Sequence, residues 1–592
     1  MKEVKEYIKR FDNHDDYVSF INSSEYIKPN VSSCSAETHV HYDYDYAYAP
    51  LTVEALEDLE IQFTNKIVSN LAQVFWSKGE MYYSKDGTRT WNQFTSADTI
   101  SVRSGERLQF KGNLSGSTSW GIGRFIIPGK FNIVGNPLSM YYMDDFGDVI
   151  SPRQSLFDLF SRTGVVSAEG LKTNIGNTTG YPTVPSHMFS KFFLECVNLE
   201  KAPSFTNLSR KANSRHMYGS TYYGCTSLTE VPDLLFDGQN ITAESTFDNT
   251  FNSCTSLKKM PRIKAKTIGR LAFDEMFERC TSLTDLPPVL EVDELGDVCF
   301  SEMFKNCTAL ETVPKGFLPL TTLKQYCYGG MFEGCTSLKN LPDLPAMAIP
   351  VNAYADMFSG CTSIETVPKD YLPAESVSIE SYVSMFNGCT SLKNAPDLPA
   401  TTIGSDCYRN MFRNCESLET APDILPAEKL STNSYFGMFY GCISLTKAPE
   451  ISALSGATSA CASMFQECTG LTEAPSAIHI KKLNGVYSGM CKSMFTKCVS
   501  LKKAPVIETE TLTVGNNHTP VPELFKEMFY DCSLLNEIRV KFKTSAGEDV
   551  EQFAGWVSGV DSLGTFYMPA DSEWEVIRGN AGVPLNWDLI RE

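Results

Sequence analysis

Met385-Phe386-Asn387-Gly388-Cys389-Thr390-Ser391-Leu392 is one copy of a phrase that occurs thirteen times between about residues 193 and 535. Nearly every copy has an aromatic pair or Met-Phe before the cysteine, and leucine or, once, isoleucine three residues after it. The cysteines recur every 26 to 34 residues, a period that predicts a stacked solenoid with one structural unit per coil. The repeat cysteines are Cys196, Cys225, Cys254, Cys280, Cys307, Cys335, Cys361, Cys389, Cys415, Cys442, Cys468, Cys498 and Cys532.

The apolar positions within one repeat predict a short helix followed by a short strand. The i, i+3, i+4, i+7 spacing of a helical face is met by Tyr382, Met385, Phe386 and Cys389. Gly388 would let the helix end, and residues 391–395 are typical of a short strand before a proline. We therefore predict an α/β solenoid with a short helix and a short strand in each coil.

Of the nineteen cysteines, the thirteen in the repeats are predicted to be buried, reduced thiols rather than disulfides or zinc ligands. No C-x-x-C pair occurs, and equivalent side chains of stacked coils point in parallel instead of towards each other. A second inward-facing set consists of Cys299, Cys327, Cys407, Cys461 and Cys491.

The residue after the repeat leucine alternates in charge through the middle of the chain. Its successive occupants are Glu311, Lys339, Glu365, Lys393 and Glu419. Alternation is expected where these residues are cross-strand neighbours, because like charges there are unfavourable. We expect weak surface ion pairs, and a groove for a charged ligand is the alternative.

Composition and motifs exclude several classes of function. A net charge of −19 argues against nucleic-acid binding, and no apolar run is long enough to insert in a membrane. The first residues lack the apolar core of a secretory signal. Phosphate-loop, dinucleotide and nucleophile-elbow motifs are absent, so we predict neither a cofactor nor an enzyme. A carbohydrate-active enzyme stays as an alternative, because paired carboxylates need no sequence motif.

The chain outside the repeats has its own patterns. Short strands broken by turns over residues 50–147 predict a small β-sandwich-like domain. A docking segment at 1–49, a transition with a degenerate repeat at 148–190, repeats at 191–538 and a C-terminal cap at 539–592 complete the predicted layout. Within the first segment, His39 and His41 alternate with aromatic residues, which indicates a two-faced strand. A metal site shared with Asp43 and Asp45 is the alternative.

The repeat phrase resembles the BspA-type leucine-rich repeats of bacterial surface proteins. Phrases such as 407–412 and 395–402 are similar to a variant found in gut Bacteroidales and their phages, as are several phrases of 50–147 and the segment 556–587. Residues 26–32 resemble N-terminal segments of phage structural proteins. The resemblance implies a leucine-rich-repeat solenoid and a virion fibre or appendage that recognises the host surface; a bacterial cell-surface adhesin is the alternative.

The resemblance also implies partners. The N-terminal segment would dock to other virion proteins, and the repeats would contact a glycan or protein of the host surface. A homo-oligomer fits an appendage, although no heptad run predicts a coiled coil.

Two insertions near the C-terminus are the predicted recognition site. The cysteine spacing lengthens there because of extra residues in 477–487 and 514–520, and insertions in solenoids map to loops that often bind. These loops would lie side by side; joining the stack to its cap is the alternative role. The candidate ligand-binding residues are His479, Lys481, Tyr487, Asn516, Asn517 and His518.

Overall fold

The computed structural model describes residues 49–64, 66–68, 74–76, 79–85, 90–114, 123–143, 155–175, 184–204, 213–232, 234–235, 240–452, 455, 457–481, 488–510, 513–514, 519–543, 550–574 and 578–592. The chain divides into two compact units, Met1–Leu286 and Pro287–Glu592, and each is described by itself. The predicted docking segment, with His39, His41, Asp43 and Asp45, lies outside the described residues apart from Ala49.

The first unit begins with a domain of short strands. A six-stranded sheet has the order β11-β10-β1-β8-β5-β6, and a three-stranded sheet has the order β7-β2-β9. Pairing is antiparallel except between β10 and β11, which are parallel. The strands are β1 (Leu51–Ala55), β2 (Leu59–Thr64), β3 (Lys66–Val68), β4 (Val74–Trp76), β5 (Met81–Lys85), β6 (Asn92–Phe94), β7 (Ile100–Val102), β8 (Arg107–Gly112), β9 (Arg124–Ile126), β10 (Phe131–Gly135) and β11 (Val165–Leu171).

The two sheets of this domain pack against each other through aromatic rings. Alternate residues of β2 are buried, as the two-residue period of a strand requires. The Phe110 ring of β8 lies 4.9 Å from the Phe125 ring of β9, and Phe63 of β2 lies 5.2 Å from Phe125. A short helix, α1 (Ser139–Tyr142), follows β10. Short strands are present over residues 50–147, as predicted, and β11 of the six-stranded sheet lies in the segment predicted as the transition.

The segment between the strand domain and the repeats packs against the cores of both. Phe160 stacks on Phe125 of the strand domain at 5.1 Å. The Phe160 carbonyl oxygen accepts hydrogen bonds from Thr163 Oγ1 and Cys196 Sγ, and these two atoms lie 3.6 Å apart. Thr163 therefore occupies, in the layer before the first repeat cysteine, the place that a thiol takes in later layers.

The repeats are built from short strands and consecutive turns. In the first unit β12 (Leu234–Leu235) pairs in parallel with β13 (Ile263–Thr267). In the second unit the strands are β14 (Glu291–Glu294), β15 (Ala348–Ile349), β16 (Ser376–Val377), β17 (Thr402–Ile403), β18 (Ile424–Leu425), β19 (Glu450–Ile451), β20 (Ala477–Ile480), β21 (Val506–Thr509), β22 (Thr513–Val514), β23 (Thr519–Pro520), β24 (Glu537–Arg539), β25 (Thr565–Met568) and β26 (Asp588–Arg591). Two 3-10 helices lie at Lys315–Phe317 and Val550–Phe553.

The predicted helix in each repeat is wrong. Glu380, Ser384 and Gly388, four residues apart, have positive φ angles of 54°, 53° and 71°, whereas a right-handed helix needs negative φ throughout. Residues 380–389 are a series of turns instead. The predicted strand position is also wrong: residues 391–395 make a single bridge at Asn394, and β17 lies where the lead to the next helix was expected.

Hydrogen bonds between repeats replace those of a helix. The Cys389 N–H donates within its turn to the Phe386 carbonyl, whereas the N–H groups of Phe386 and Gly388 donate to the next repeat, at Met411 and Arg413. Every buried amide needs a hydrogen-bond partner. Some amides of each turn find that partner only in the next repeat, so the turns are fully hydrogen-bonded only when the repeats are stacked. The apolar residues still face inwards at the spacing predicted, since each four-residue turn directs the same positions to the core.

Stacked aromatic rings form the interior of each unit. In the first unit Phe193, Tyr222, Phe251 and Phe277 stack with centroid distances of 5.3–5.5 Å. In the second unit the same position forms a longer column with distances of 5.4–5.7 Å. The members of that column are Phe304, Phe332, Phe358, Phe386, Phe412, Phe439, Phe465, Phe495 and Phe529.

Candidate functional site

The predicted recognition residues fall into two groups. His479 lies in β20 and Lys481 directly follows that strand. Tyr487, Asn516, Asn517 and His518 lie outside the described residues. The structure therefore places His479 and Lys481 on one strand end and does not test whether the other four join them.

His479 belongs to a network that spans three successive repeats. β20 and β21 pair in parallel with His479 opposite Glu508, and the His479 Nδ1 lies 3.0 Å from the Glu508 carboxylate. Lys541 of the following repeat donates to the other oxygen of Glu508 at 2.6 Å. The Lys541 hydrogen bond is the main cause that lowers the pKa of Glu508, with a smaller contribution from His479. Glu510 approaches the second ring nitrogen of His479 at 4.0 Å.

Lys481 is also engaged by a carboxylate. Its ammonium group lies 2.8 Å from Glu428, which is 53 residues earlier in the chain and nearly two repeats away. The parallel register would have revealed the pair of His479 and Glu508 from the sequence. The reach of Lys481 across an intervening repeat had no signal in the sequence, because it depends on where a long side chain lies.

The second insertion contributes a pair of strands. β22 and β23 pair in antiparallel register, with Thr513 opposite Pro520 and Val514 opposite Thr519. This strand pairing was not predicted from the sequence. Asn516, Asn517 and His518, which stand between the two strands in the sequence, lie outside the described residues.

The charge alternation produces the ion pairs that were expected. Lys339 lies 3.1 Å from Glu311, and Lys393 lies 2.8 Å from Glu365, each pair joining neighbouring repeats. The Lys393 hydrogen bond lowers the pKa of Glu365. All four side chains are more than half exposed, so each pair contributes little to stability.

A further ion-paired lysine, which was not predicted from the sequence, directly follows a repeat proline. Lys369 reaches Asp397 of the next repeat at 3.8 Å and Asp423 of the repeat after that at 2.9 Å. The available signal was the placement of all three residues directly after the repeat proline.

Comparison with known families identifies the repeats. Residues 199–330 and 303–423 match the family described as the BspA type leucine rich repeat region, in six copies. Residues 199–423 are therefore similar to BspA-type leucine-rich repeats. A crystal structure of a leucine-rich repeat protein from Bacteroides ovatus ATCC 8483 aligns with a TM-score of 0.31 and 15% identity, over 63% of this chain and 86% of that chain. No curated protein matches significantly.

The thiols of the BspA-type repeats are free and buried, as predicted. Cys389 Sγ donates a hydrogen bond to the Phe358 carbonyl of the preceding repeat at 3.2 Å, a contact that the sequence did not reveal. Burial raises the pKa of the Cys389 thiol to about 12. A protonated, buried thiol is neither a nucleophile nor a metal ligand.

The described part of the chain contains neither a metal-binding cluster nor a membrane-spanning helix. Within it, no group of three or more His, Cys, Asp or Glu side chains is arranged to hold a metal ion. None of its helices has the length and apolar character needed to span a bilayer.

Proposed function

We propose that this protein is an adhesive structural protein whose BspA-type repeats form a solenoid and bind a partner on a cell surface. The observation that supports it is the regular exposure of equivalent polar side chains in successive repeats, held in place by backbone hydrogen bonds between repeats. Pairs such as Lys339 with Glu311 and Lys393 with Glu365 show this order at the surface. A rigid periodic surface over an unreactive core suits binding better than chemistry.

We propose a phage particle as the carrier. The support is the resemblance of residues 26–32 to N-terminal segments of structural proteins of phages that infect Bacteroidales, together with the resemblance of phrases in 50–147 to proteins of gut Bacteroidales and their phages. The N-terminal segment would attach the chain to other virion proteins, and the repeats would meet a host glycan or protein. A bacterial cell surface is the second candidate carrier, since BspA-type repeats are typical of surface proteins.

Two measurements test adhesion and carrier separately. Fluorescently labelled protein should bind a subset of Bacteroidales strains saturably, and excess unlabelled protein should compete; binding to none of a broad strain panel would refute adhesion. Mass spectrometry of purified virions should detect the chain at a fixed stoichiometry. Detection in bacterial outer-membrane fractions, and not in virions, would assign the second carrier.

The enzymatic alternative has its own readout. Incubation of the protein with capsular glycans of strains that it binds should leave their size distribution unchanged. Shortened glycans would show that the protein is a carbohydrate-active enzyme and would refute a purely adhesive role.

A further inference from the structure

An uncharged row of side chains runs across five consecutive repeats of the second unit. It occupies the second position after the repeat leucine, and all but one of its members are exposed, Asn394 being half-buried. In the four repeats that follow, the same position carries Lys447, Glu473, Lys503 and Glu537. The members of this Thr/Asn row are Thr312, Asn340, Thr366, Asn394 and Thr420.

The backbone holds the Thr/Asn row in register. Thr312 bridges Asn340 and Asn394 bridges Thr420, in each case in the parallel sense. The phenylalanine column beneath it keeps successive repeats at centroid distances of 5.5–5.7 Å. The row is therefore a series of hydroxyl and amide groups at a nearly constant separation.

The neighbouring row carries charge, and four of its five members are paired with each other. It contains the two ion pairs of Lys339 with Glu311 and Lys393 with Glu365. An anionic polymer would have to compete with these pairs and would be repelled by a protein of net charge −19. An uncharged polymer with many hydroxyl groups is not repelled by these charges. The Thr/Asn row can bind it, because threonine and asparagine both donate and accept hydrogen bonds.

We propose that the Thr/Asn row binds an uncharged polysaccharide in an extended conformation, running along the repeats with one sugar residue per repeat. The separation of the repeats is close to the length that one pyranose adds to an extended β-linked chain, so each sugar meets an equivalent hydroxyl or amide. This inference rests on the proposed adhesive function and names the ligand class and its place. It is distinct from the predicted recognition site at 477–487 and 514–520.

The proposed mode of binding has a length dependence. Each sugar would gain only a weak, solvent-exposed hydrogen bond, but contacts linked along one chain reinforce each other. Affinity should therefore rise steeply from disaccharide to pentasaccharide, the length that fills five repeats, and rise slowly beyond it.

The test uses the full chain with a panel of neutral linear polysaccharides, namely β-glucan, mannan, xylan and galactan, and with oligosaccharides of the one that binds. An anionic polysaccharide of similar length is the comparison. Affinity electrophoresis detects binding, and calorimetry gives the affinity for each oligosaccharide. We expect at least one neutral polymer to bind and the anionic polymer to bind more weakly.

The matched variants place charge on and off the row. The double variant Asn340→Glu with Thr366→Glu should fold, because both side chains are exposed, and the control below carries the same pair of neighbouring carboxylates. It should lose roughly tenfold or more in affinity through two lost hydrogen-bonding groups. Its control, Thr446→Glu with Thr472→Glu, adds the same charge at the first position after the leucine, outside the Thr/Asn row, and should bind normally.

Three results would overturn the inference. They are failure of every neutral polysaccharide to bind, equal affinity for the disaccharide and the pentasaccharide, and equal effects of the two double variants. If labelled protein still adheres to cells in any of these cases, adhesion stands and only the polysaccharide row is refuted. Loss of adhesion to every strain would refute the proposed function itself.

Discussion

The β-domain and the BspA-type repeats bury apolar side chains with different spacings. In β2 the buried residues alternate, as the geometry of a strand requires. In a repeat such as 382–389 they follow the spacing of a helical face, yet the backbone is a series of turns. The comparison shows that helical spacing of apolar residues does not require a helix, because four-residue turns with one positive φ produce the same inward positions.

The two regions also differ in where their amide groups bond. Strands of the β-domain pair with neighbours in one sheet, whereas half of the amides in a repeat turn bond to the following repeat. A side chain in the repeats therefore supports its neighbours as well as its own layer. Four substitutions and one change of pH test how the repeats are stabilised, from the largest expected effect to the smallest.

Removal of a ring from the phenylalanine column should have the largest effect. Phe386→Ala should cost about 3–5 kcal/mol, the usual loss for a buried phenylalanine. Phe386 stacks on Phe358 at 5.6 Å and on Phe412 at 5.7 Å, so amide protection should fall in both adjoining repeats. Hydrogen exchange with mass spectrometry measures this spread. The matched variant Phe110→Ala should lose protection in the sheets of the β-domain; loss confined to residues 380–389 in the first variant would contradict mutual support.

Replacement of a repeat thiol should have the next largest effect. Cys389→Ser keeps a donor for the Phe358 carbonyl but buries hydroxyl lone pairs, and we expect a loss of about 1–2 kcal/mol. Thr163, which donates to Phe160 from the equivalent place, shows that a hydroxyl is tolerated in the column. Chemical denaturation measures the change. An unaltered midpoint would show that Cys389 is not packed as described.

Acid should destabilise the first unit through His187. Burial, with a smaller contribution from stacked His216 at 4.9 Å, lowers the pKa of His187 to about 4 from its ordinary 6.5. The unfolded state then binds a proton more readily, so stability falls as pH decreases from about 6.5 towards 4. Because the ring is partly exposed, we expect a loss of roughly 1 kcal/mol. The stability difference between the protein and His187→Phe, measured at pH 7 and pH 5, isolates this residue; a constant difference would refute the shift.

A glycine substitution distinguishes turns from helix directly. Val298 has a φ of 58°, which strains a β-branched residue. Val298→Gly should stabilise the fold by up to about 1 kcal/mol, because relief of left-handed strain exceeds the entropy cost of glycine. The control Ser301→Gly, at a position without positive φ, should destabilise by roughly 0.5–1 kcal/mol. If both variants lose stability equally in thermal unfolding, a helix at this position would be the better description.

Loss of a surface ion pair should have the smallest effect. Lys393→Ala removes the 2.8 Å contact with Glu365, and we expect a change in unfolding free energy close to the limit of measurement, because both side chains are exposed. Unfolding at low and high salt checks the electrostatic origin, since salt should remove most of the difference. A loss comparable to that of Cys389→Ser would show that the charged row supports the repeats far more than exposure allows.

The features that the sequence predicted correctly depend on residue type and on the period of the repeat. The repeat positions, the buried thiols and the alternating ion pairs follow from where apolar and charged residues recur. The helix was mispredicted because spacing does not report the sign of φ. A signal was present: Gly334, Gly360 and Gly388 stand directly before the repeat cysteine, where all three adopt positive φ.

By itself, the sequence determined the repeat register, the inward-facing residues and the resemblance to BspA-type repeats, because these depend on local chemistry that recurs along the chain. Only the tertiary structure decided that amides bond between repeats and that Lys481 pairs with Glu428. Each of these depends on contacts between residues a repeat or more apart, and their geometry exists only once the layers are stacked.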